Sequence, residues 1–178
     1  QVRLALAQGE RVFDWRHRRP DGEEWDAEVR LMAVQTRRGR FLQLTLEDIT
    51  RRRQAEQDIH RLAYYDSLTQ LPNRRLMLDR LSAAIDRACP ARPAALLLVD
   101  IDHFQAINDT QGHAAGDALL CEVAARLTQC LRARDLIGRL SGDEFVLLLS
   151  ECSSEQAVQM AQRMLESIAQ PLDINGQV

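Results

Sequence analysis

The six consecutive apolar residues Ala94–Val99 constrain the fold of this chain more than any other feature. The run is too short to cross a bilayer, and it is typical of a central β-strand that is buried on both faces. It ends at Asp100-Ile101-Asp102, the only Asp-x-Asp sequence in the chain. Strand alternation places both carboxylates on one face, about 7 Å apart along the backbone. They could hold one divalent cation, or they could be two solvated acids at a strand end.

The residues around this strand predict a mixture of helices and strands. We expect helices over 73–88, 114–133 and 154–169, and strands over 135–140, 144–149 and from Leu172. One face of the middle helix is apolar, with Leu120, Val123, Ala124, Leu127 and Leu131 at three- and four-residue steps. The two strands between the last two helices are separated by a short turn with a glycine, which predicts a hairpin.

The predicted hairpin turn adds two further acids, because it reads Ser141-Gly142-Asp143-Glu144. Its glycine lets the backbone approach a ligand closely. Acidic turns are common, so the turn by itself indicates little. If it meets Asp100 in space, however, the carboxylates form an arrangement suited to a metal ion and a phosphate.

The charge of the chain separates a first module from this one. Residues 1–53 hold twelve arginines against nine acidic residues, whereas residues 54–178 hold eleven against seventeen, so we expect a boundary near Thr50. Alternation of apolar and polar residues predicts a meander of three strands between positions 10 and 49. Three strands bury little surface by themselves.

A connecting helix is predicted over residues 51–65. Ala55, Ile59, Leu62 and Ala63 recur at helical spacing between charged positions. This apolar stripe either packs on a neighbouring element or pairs two chains as a short coiled coil.

Composition excludes several classes of protein. Aromatic residues make up 4% of the chain and the net charge is −3, which argues against binding of nucleic acid. No apolar run reaches bilayer length and no signal peptide opens the sequence, so we expect no membrane contact from this segment. The cysteines form no Cys-x-x-Cys pair, which favours reduced thiols and a cytoplasmic location, although an anchor upstream of residue 1 stays open. They are Cys89, Cys121, Cys130 and Cys152.

Three stretches of sequence resemble the GGDEF domain of diguanylate cyclases. They are YDSLTQLPNRR, LLLVDIDHFQAINDTQGHAAGDALL and RARDLIGRLSGDEFVLLL, in the family's order. The resemblance implies an α/β sandwich over residues 66–178, with helices on a ferredoxin-like, mainly antiparallel sheet of the nucleotidyl-cyclase type. The family fold continues beyond Val178, so we expect this domain to be incomplete.

The resemblance also implies roles for single residues. Asp100, the carbonyl of Ile101 and Asp143 would bind Mg²⁺ or Mn²⁺. Asp143, with Glu144 beside it, would be catalytic. Asn108, His113, Asp117 and Gly142 would bind the substrate, and Arg132 with Asp135 would form a product-inhibition site. From the residues alone, Asp117 is explained by the first turn of its helix, where the dipole favours an acid. Asn108 could be a turn residue, and Arg132 with Asp135 a surface ion pair.

The implied reaction joins two GTP molecules into cyclic di-GMP and releases two pyrophosphates, so two domains must face each other in a homodimer. Two departures from the family pattern bear on activity. Ser141 replaces a glycine and so limits positive φ. Gln105 replaces a lysine, and losing one charged donor could cost about 10²–10³ in rate. The alternative is a module that binds GTP or cyclic di-GMP and regulates an adjoining phosphodiesterase domain.

Residues 1–50 resemble the C-terminal part of a PAS sensory domain, on WRHRRPDGEEWDAEV and LQLTLEDITRRRQAE. We assign no ligand to it. We hypothesise that this part and helix 51–65 set the pairing of the two catalytic domains. In the motif that opens the second module, Asp66, Asn73 and Arg74 are predicted to be structural, as an acid–arginine tie and a helix start.

Overall fold

A computed structural model of the chain describes residues 2–37, 39–89 and 91–171. The chain divides into two compact units between His60 and Arg61, inside the predicted connecting helix. No helix within the described ranges is long and apolar enough to span a membrane.

The first unit is an antiparallel meander with one short helix. Its elements are α1 (Val2–Gln8), β1 (Glu10–Arg18), β2 (Glu24–Thr36) and β3 (Gly39–Asp48). Helix α2 (Thr50–Tyr64) follows, and its last four residues, 61–64, belong to the second unit. The strands pair in the order β1-β2-β3, as predicted. Helix α1, which was not predicted, buries Ala5 against Ala27, Val29 and Leu31 of β2.

Side-chain hydrogen bonds fix the point where β3 ends and α2 begins. The Asp48 carboxylate accepts from the Thr50 N–H at 2.9 Å, and the Thr50 hydroxyl accepts from the Asp26 N–H at 3.0 Å. Arg53 then forms ion pairs with Asp14 and Asp26 of the meander. The first turn of α2 is therefore attached to the sheet of its own unit.

The apolar stripe of α2 is not buried by any described residue. Ile59 is 66% exposed and Leu62 is 74% exposed. Of the two alternatives, packing on a neighbouring element is therefore not observed within the described ranges, and pairing of two chains remains an expectation.

The second unit packs helices on both faces of an antiparallel sheet. Its elements are α3 (Arg74–Arg87), β4 (Ala94–Val99), α4 (Phe104–Gln111), α5 (His113–Gln129), β5 (Leu136–Ser141), β6 (Glu144–Ser150) and α6 (Ser154–Ile168). The main core joins α5 and α6 to one face of the sheet, whereas Met77 of α3 packs on Val146 and Leu148 at the other. This is the predicted α/β sandwich. The strand predicted from Leu172 lies outside the described residues.

The prediction that Ala94–Val99 is the central strand, buried on both faces, is wrong for the described sheet. The strand order is β4-β6-β5, and the five residues Phe145–Leu149 of β6 are all buried. In β4, burial alternates, and Leu98 is 73% exposed. Because α3 lies over β5 and β6, it leaves the same face of β4 uncovered.

The helices that follow β4 also differ from the prediction. Helix α4 was not predicted, and α5 ends at Gln129 instead of position 133. Gly112, with φ +86°, separates the two helices. Since α5 begins at His113, Asp117 is its fifth residue and lies beyond the first turn, so the helix dipole does not explain this acid.

Candidate active site

The carboxylates of the Asp-x-Asp strand end and of the hairpin turn lie together. Val99 pairs with Phe145 across β4 and β6, so Asp100 leaves the sheet beside Glu144, with Asp143 in the adjoining turn. The negative charge of Asp143 is the largest cause that raises the pKa of Asp100. Burial comes next, followed by the charges of Glu144 and Asp102. Acids separated by more than forty residues in sequence thus form one strongly negative site.

The backbone of the hairpin turn depends on Gly142 and not on Ser141. Gly142 has φ +50°, and a Cβ added to it would meet nothing within 4 Å. Ser141 ends β5, opposite Glu144, without a positive φ. The expectation that serine here removes needed positive-φ freedom is therefore wrong. The Ser141 hydroxyl instead donates to the Glu144 carboxylate at 2.8 Å.

The acidic site has the donors that a hard divalent cation prefers. The charges that act on Asp100 are those of neighbouring acids, with Asp143 the strongest, and the Ile101 carbonyl accepts a long 3.3 Å bond from the Phe104 N–H. No three His, Cys, Asp or Glu side chains in the described ranges are grouped closely enough to hold a metal by themselves. A cation here would therefore use the two carboxylates, the carbonyl and oxygens from outside the protein. Mg²⁺ commonly binds in this way, with phosphate or water completing its shell.

Arg139 of β5 fixes the position of the hairpin turn. Its Nε donates to the Gly142 carbonyl at 2.8 Å, and its Nη1 pairs with the Asp66 carboxylate at 3.0 Å. The Arg139 and Asp66 side chains are only 12% and 23% exposed. Asp66 also accepts from the N–H and hydroxyl of Thr69. The acid–arginine tie was expected within the motif, between Asp66 and Arg74, but the arginine that pairs with Asp66 is Arg139.

Asn73 begins α3, as predicted, and also connects the loop to α2. Its side-chain oxygen accepts from the Leu76 N–H at 3.2 Å, which caps α3. Its side-chain nitrogen donates to the Ala63 carbonyl at 3.0 Å, and its backbone N–H donates to the Tyr64 carbonyl at 2.9 Å. The segment 66–73 is thus held at one end by α2 and at the other by Arg139.

Asp66→Asn is expected to lower the free energy of unfolding by about 2 kcal/mol at pH 7, because a charged hydrogen bond to a half-buried arginine is lost. Burial by itself raises the pKa of Asp66, but hydrogen bonds from Thr69 and Arg139 outweigh it and hold this pKa below its usual value. A lowered carboxyl pKa stabilises the folded chain above the unfolded pKa, near 4, and this contribution is lost as the pH falls through the folded value. Urea denaturation from pH 7 to pH 3 should show the deficit shrinking in acid.

Asp79→Asn, on the exposed side of α3, is the control for Asp66→Asn. It removes a carboxylate with the same charge and should change the unfolding free energy little at any pH. A deficit for Asp66→Asn that is equally large at pH 3 and pH 7 would contradict the assignment of this stability to the ionised carboxylate.

The residues expected to bind the nucleotide lie on the two helices after β4. Asn108 is half-buried on α4, whereas His113 and Asp117 are exposed on α5. The Asn108 side chain lies against the backbone of Gly116, next to Asp117. The structure thus brings Asn108 close to the segment that carries Asp117, and this contact was not predicted from the sequence.

Arg132 and Asp135 lie in the turn between α5 and β5. The Asp135 carboxylate accepts from the backbone N–H groups of Arg132, at 3.1 Å, and Ser150, at 3.3 Å. The Asp135 side chain is therefore bonded to the backbone of Arg132. The alternative, an ion pair between the two side chains, is not observed among the described residues. Both residues line a shallow cavity of about 390 Å³, with the Arg132 side chain exposed.

Comparison with known proteins identifies the second unit. The family model for the diguanylate cyclase GGDEF domain matches residues 63–178, more than half of the chain. The bifunctional diguanylate cyclase/cyclic di-GMP phosphodiesterase MucR of Pseudomonas aeruginosa is 45% identical over 122 residues, which are 68% of this chain and 18% of MucR. The chain thus spans less than a fifth of that relative.

Solved structures agree with this match. The GGDEF domain of the P. aeruginosa protein TpbB, or YfiN, is 41% identical and has a TM-score of 0.61, covering 64% of this chain and 68% of that one. The coiled coil and GGDEF domain of DgcB from Caulobacter crescentus, solved in complex with cyclic di-GMP, is 27% identical with a TM-score of 0.60, covering 65% and 61%. The chain described here belongs to the GGDEF diguanylate cyclase domain family.

Proposed function

We propose that this protein is a Mg²⁺-dependent diguanylate cyclase that condenses two GTP molecules into cyclic di-GMP and two pyrophosphates. The observation that carries the proposal is the convergence of Asp100 and Asp143, whose repulsion raises the pKa of Asp100. A site of uncompensated carboxylates is stabilised by a divalent cation that brings a triphosphate with it.

In the proposed reaction, each 3′-oxygen forms a bond to the α-phosphorus of the other GTP, while the bond from that phosphorus to the bridging oxygen breaks and pyrophosphate leaves. Asp100, the Ile101 carbonyl and Asp143 would hold the cation, which would neutralise charge on the phosphates. Asp143 would accept the proton of the attacking hydroxyl. Glu144 already accepts a hydrogen bond from Ser141, which orients it beside Asp143.

Substrate choice is assigned to Asn108 and Asp117. A carboxylate can accept from the N1–H and the exocyclic amine of guanine together, and adenine cannot offer this pair of donors. His113 and Gly142 would contact the nucleotide as well. These assignments follow the motif positions, and the placement of Asn108 beside Gly116 supports them.

The proposed reaction requires two copies of the domain, and α2 is a candidate for pairing them. Its exposed apolar residues, Ile59 and Leu62, are spaced as in a short coiled coil. We propose that the meander of the first unit is the C-terminal part of a PAS sensor that sets this pairing. We also propose that the domain acts in the cytoplasm, where GTP is available and free thiols stay reduced.

The proposal is tested by incubating the full-length protein with GTP and Mg²⁺ and separating the products by chromatography. Cyclic di-GMP and pyrophosphate should form in a 1:2 ratio, and ATP should give no product. If GTP binds but yields no cyclic di-GMP at high protein concentration, a regulatory module is the better explanation. Gln105 favours that second candidate, because it brings no charge to the start of α4.

Gln105→Lys is expected to raise the turnover number by about 10-fold or more, because it adds a charged donor near the phosphates. The Michaelis constant should change less, since the charge acts mainly on the transition state. Gln111→Lys is the matched control, as it adds the same charge at the other end of α4. Equal rates for the two lysine variants in steady-state assays would contradict the argument from charge.

Product inhibition is proposed at Arg132 and Asp135. An arginine can bind O6 and N7 of guanine through two hydrogen bonds, and the exposed Arg132 side chain is placed to do so. Asp135 would hold the turn through its backbone hydrogen bonds. The DgcB structure holds cyclic di-GMP, which is consistent with such a site in the family.

A further inference from the structure

A glycine of α5, Gly116, lies against the Asn108 side chain of α4. A Cβ atom added to Gly116 would lie 2.0 Å from Oδ1 of Asn108 and 3.0 Å from its Cγ. Side chains do not tolerate such distances, so the Asn108 amide occupies the space that any other residue at position 116 would fill. The ring of Phe104 is the next neighbour, at 3.2 Å, where a small shift is sufficient.

The same amide takes part in no hydrogen bond with the described residues. The backbone carbonyl of Asn108 accepts from Gly112, but the side chain is held by its packing over Gly116. Among the described residues, the only fully buried side-chain nitrogen or oxygen without a hydrogen-bond partner belongs to His17. The Asn108 amide, which has no hydrogen-bond partner within the described ranges, is therefore not fully buried.

Glycine in the interior of α5 has a cost that this contact explains. Glycine favours a helix less than alanine does, because it loses more conformational freedom. Gly116 has an ordinary helical φ, so the backbone itself does not demand glycine there. What demands it is the space occupied by the amide.

We propose that Gly116 is a positioning residue that determines specificity for guanine, by providing the surface on which the Asn108 amide rests beside Asp117. The inference rests on the proposed function, in which these two residues read the base. A side chain at position 116 would push the amide away from α5 and so separate it from Asp117. Guanine recognition would then be lost while the site at Asp100 and Asp143 remained intact.

Binding of nucleotides tests this inference directly. The chain, with Mg²⁺, is titrated calorimetrically with three triphosphates that carry an α,β-methylene bridge and differ in the base: guanine, hypoxanthine or adenine. Gly116→Ala is expected to weaken binding of the guanine nucleotide by about 10- to 100-fold and to leave the adenine nucleotide nearly unchanged. The hypoxanthine nucleotide keeps N1–H but lacks the exocyclic amine, so its loss should lie between the two. If the variant keeps the wild-type preference for guanine, the inference is wrong. If the wild type itself shows no such preference, the proposed function is wrong instead.

The Asn108→Ala background separates positioning from a general packing defect. That change removes both atoms that clash, so Gly116→Ala should raise the midpoint of thermal unfolding more in Asn108→Ala than in the wild type, where the amide must move first. It should also cause no further loss of guanine binding in that background. Equal losses in both backgrounds would overturn the inference. Should the single variant fail to fold, the double variant decides: a folded protein supports the inference and an unfolded one refutes it.

Discussion

Asp143→Asn is expected to lower the rate of cyclic di-GMP formation by about 10³-fold or more, because it removes a proposed cation ligand and proton acceptor in one change. Stability should respond in the opposite direction. Since Asp143 is the main source of repulsion on Asp100, the metal-free variant should be at least as stable as the wild type near neutral pH. Mg²⁺ should raise the unfolding temperature of the wild type and leave that of the variant unchanged, because only a protein that binds the ion is stabilised by it.

Asp102→Asn is the matched control for this experiment. Asp102 has the same charge and is two residues from Asp100, but it contributes least to the raised pKa of Asp100. Its replacement should keep most of the activity and most of the stabilisation by Mg²⁺. Asp143→Asn with near-normal turnover would remove the hairpin acid from the mechanism.

Gly138→Ala is expected to lower the free energy of unfolding by about 3 kcal/mol, which is the upper range for overpacking a core. An added Cβ would lie 2.6 Å from the carbonyl oxygen of Pro72 and 2.3 Å from Cγ of Met77. Met77 can move, but the Pro72 carbonyl also accepts from the Arg139 N–H at 3.0 Å and so is fixed. Equilibrium unfolding in urea would measure the loss.

Gly142→Ala is the control for crowding at Gly138, because nothing lies within 4 Å of a Cβ added to Gly142. This change strains only the backbone, which has a positive φ at Gly142, and should lower the free energy of unfolding by about 1 kcal/mol. If both alanine variants lose the same stability, crowding at Gly138 is not the cause, and the close packing of β5 on the Pro72 loop would need another explanation.

Local patterns predicted most of the second unit. The apolar run of β4 and the Ser141–Glu144 turn gave a strand and a hairpin with bounds close to those observed, because these signals come from neighbouring residues. The burial of β4 could not be predicted in the same way, since it depends on where α3 lies. The sequence shows that the residues of β4 are apolar, but it does not show whether a helix covers them.

The residues of the candidate site were also predictable only where a local pattern marked them. Motif positions predicted the acids at 100 and 143, and the structure brings them together. Arg139 was not assigned a role, because its partner Asp66 is 73 residues away and no local pattern connects them. Gly116 was missed because a glycine before an acid in a helix has no signature. Only the distance to Asn108 reveals its role.

The hydrogen bonds from Asn73 to α2, and from Arg139 to both Asp66 and Gly142, form one short path from the last turn of α2 to the carbonyl next to Asp143. The stability of this segment and the proposed reaction would therefore depend on the same few bonds. A substitution in this segment can lower the rate without removing a catalytic group, because breaking one of these hydrogen bonds would by itself displace the turn. Rates of such variants are interpretable only alongside hydrogen-exchange protection of the turn's amides, which reports the loosening separately.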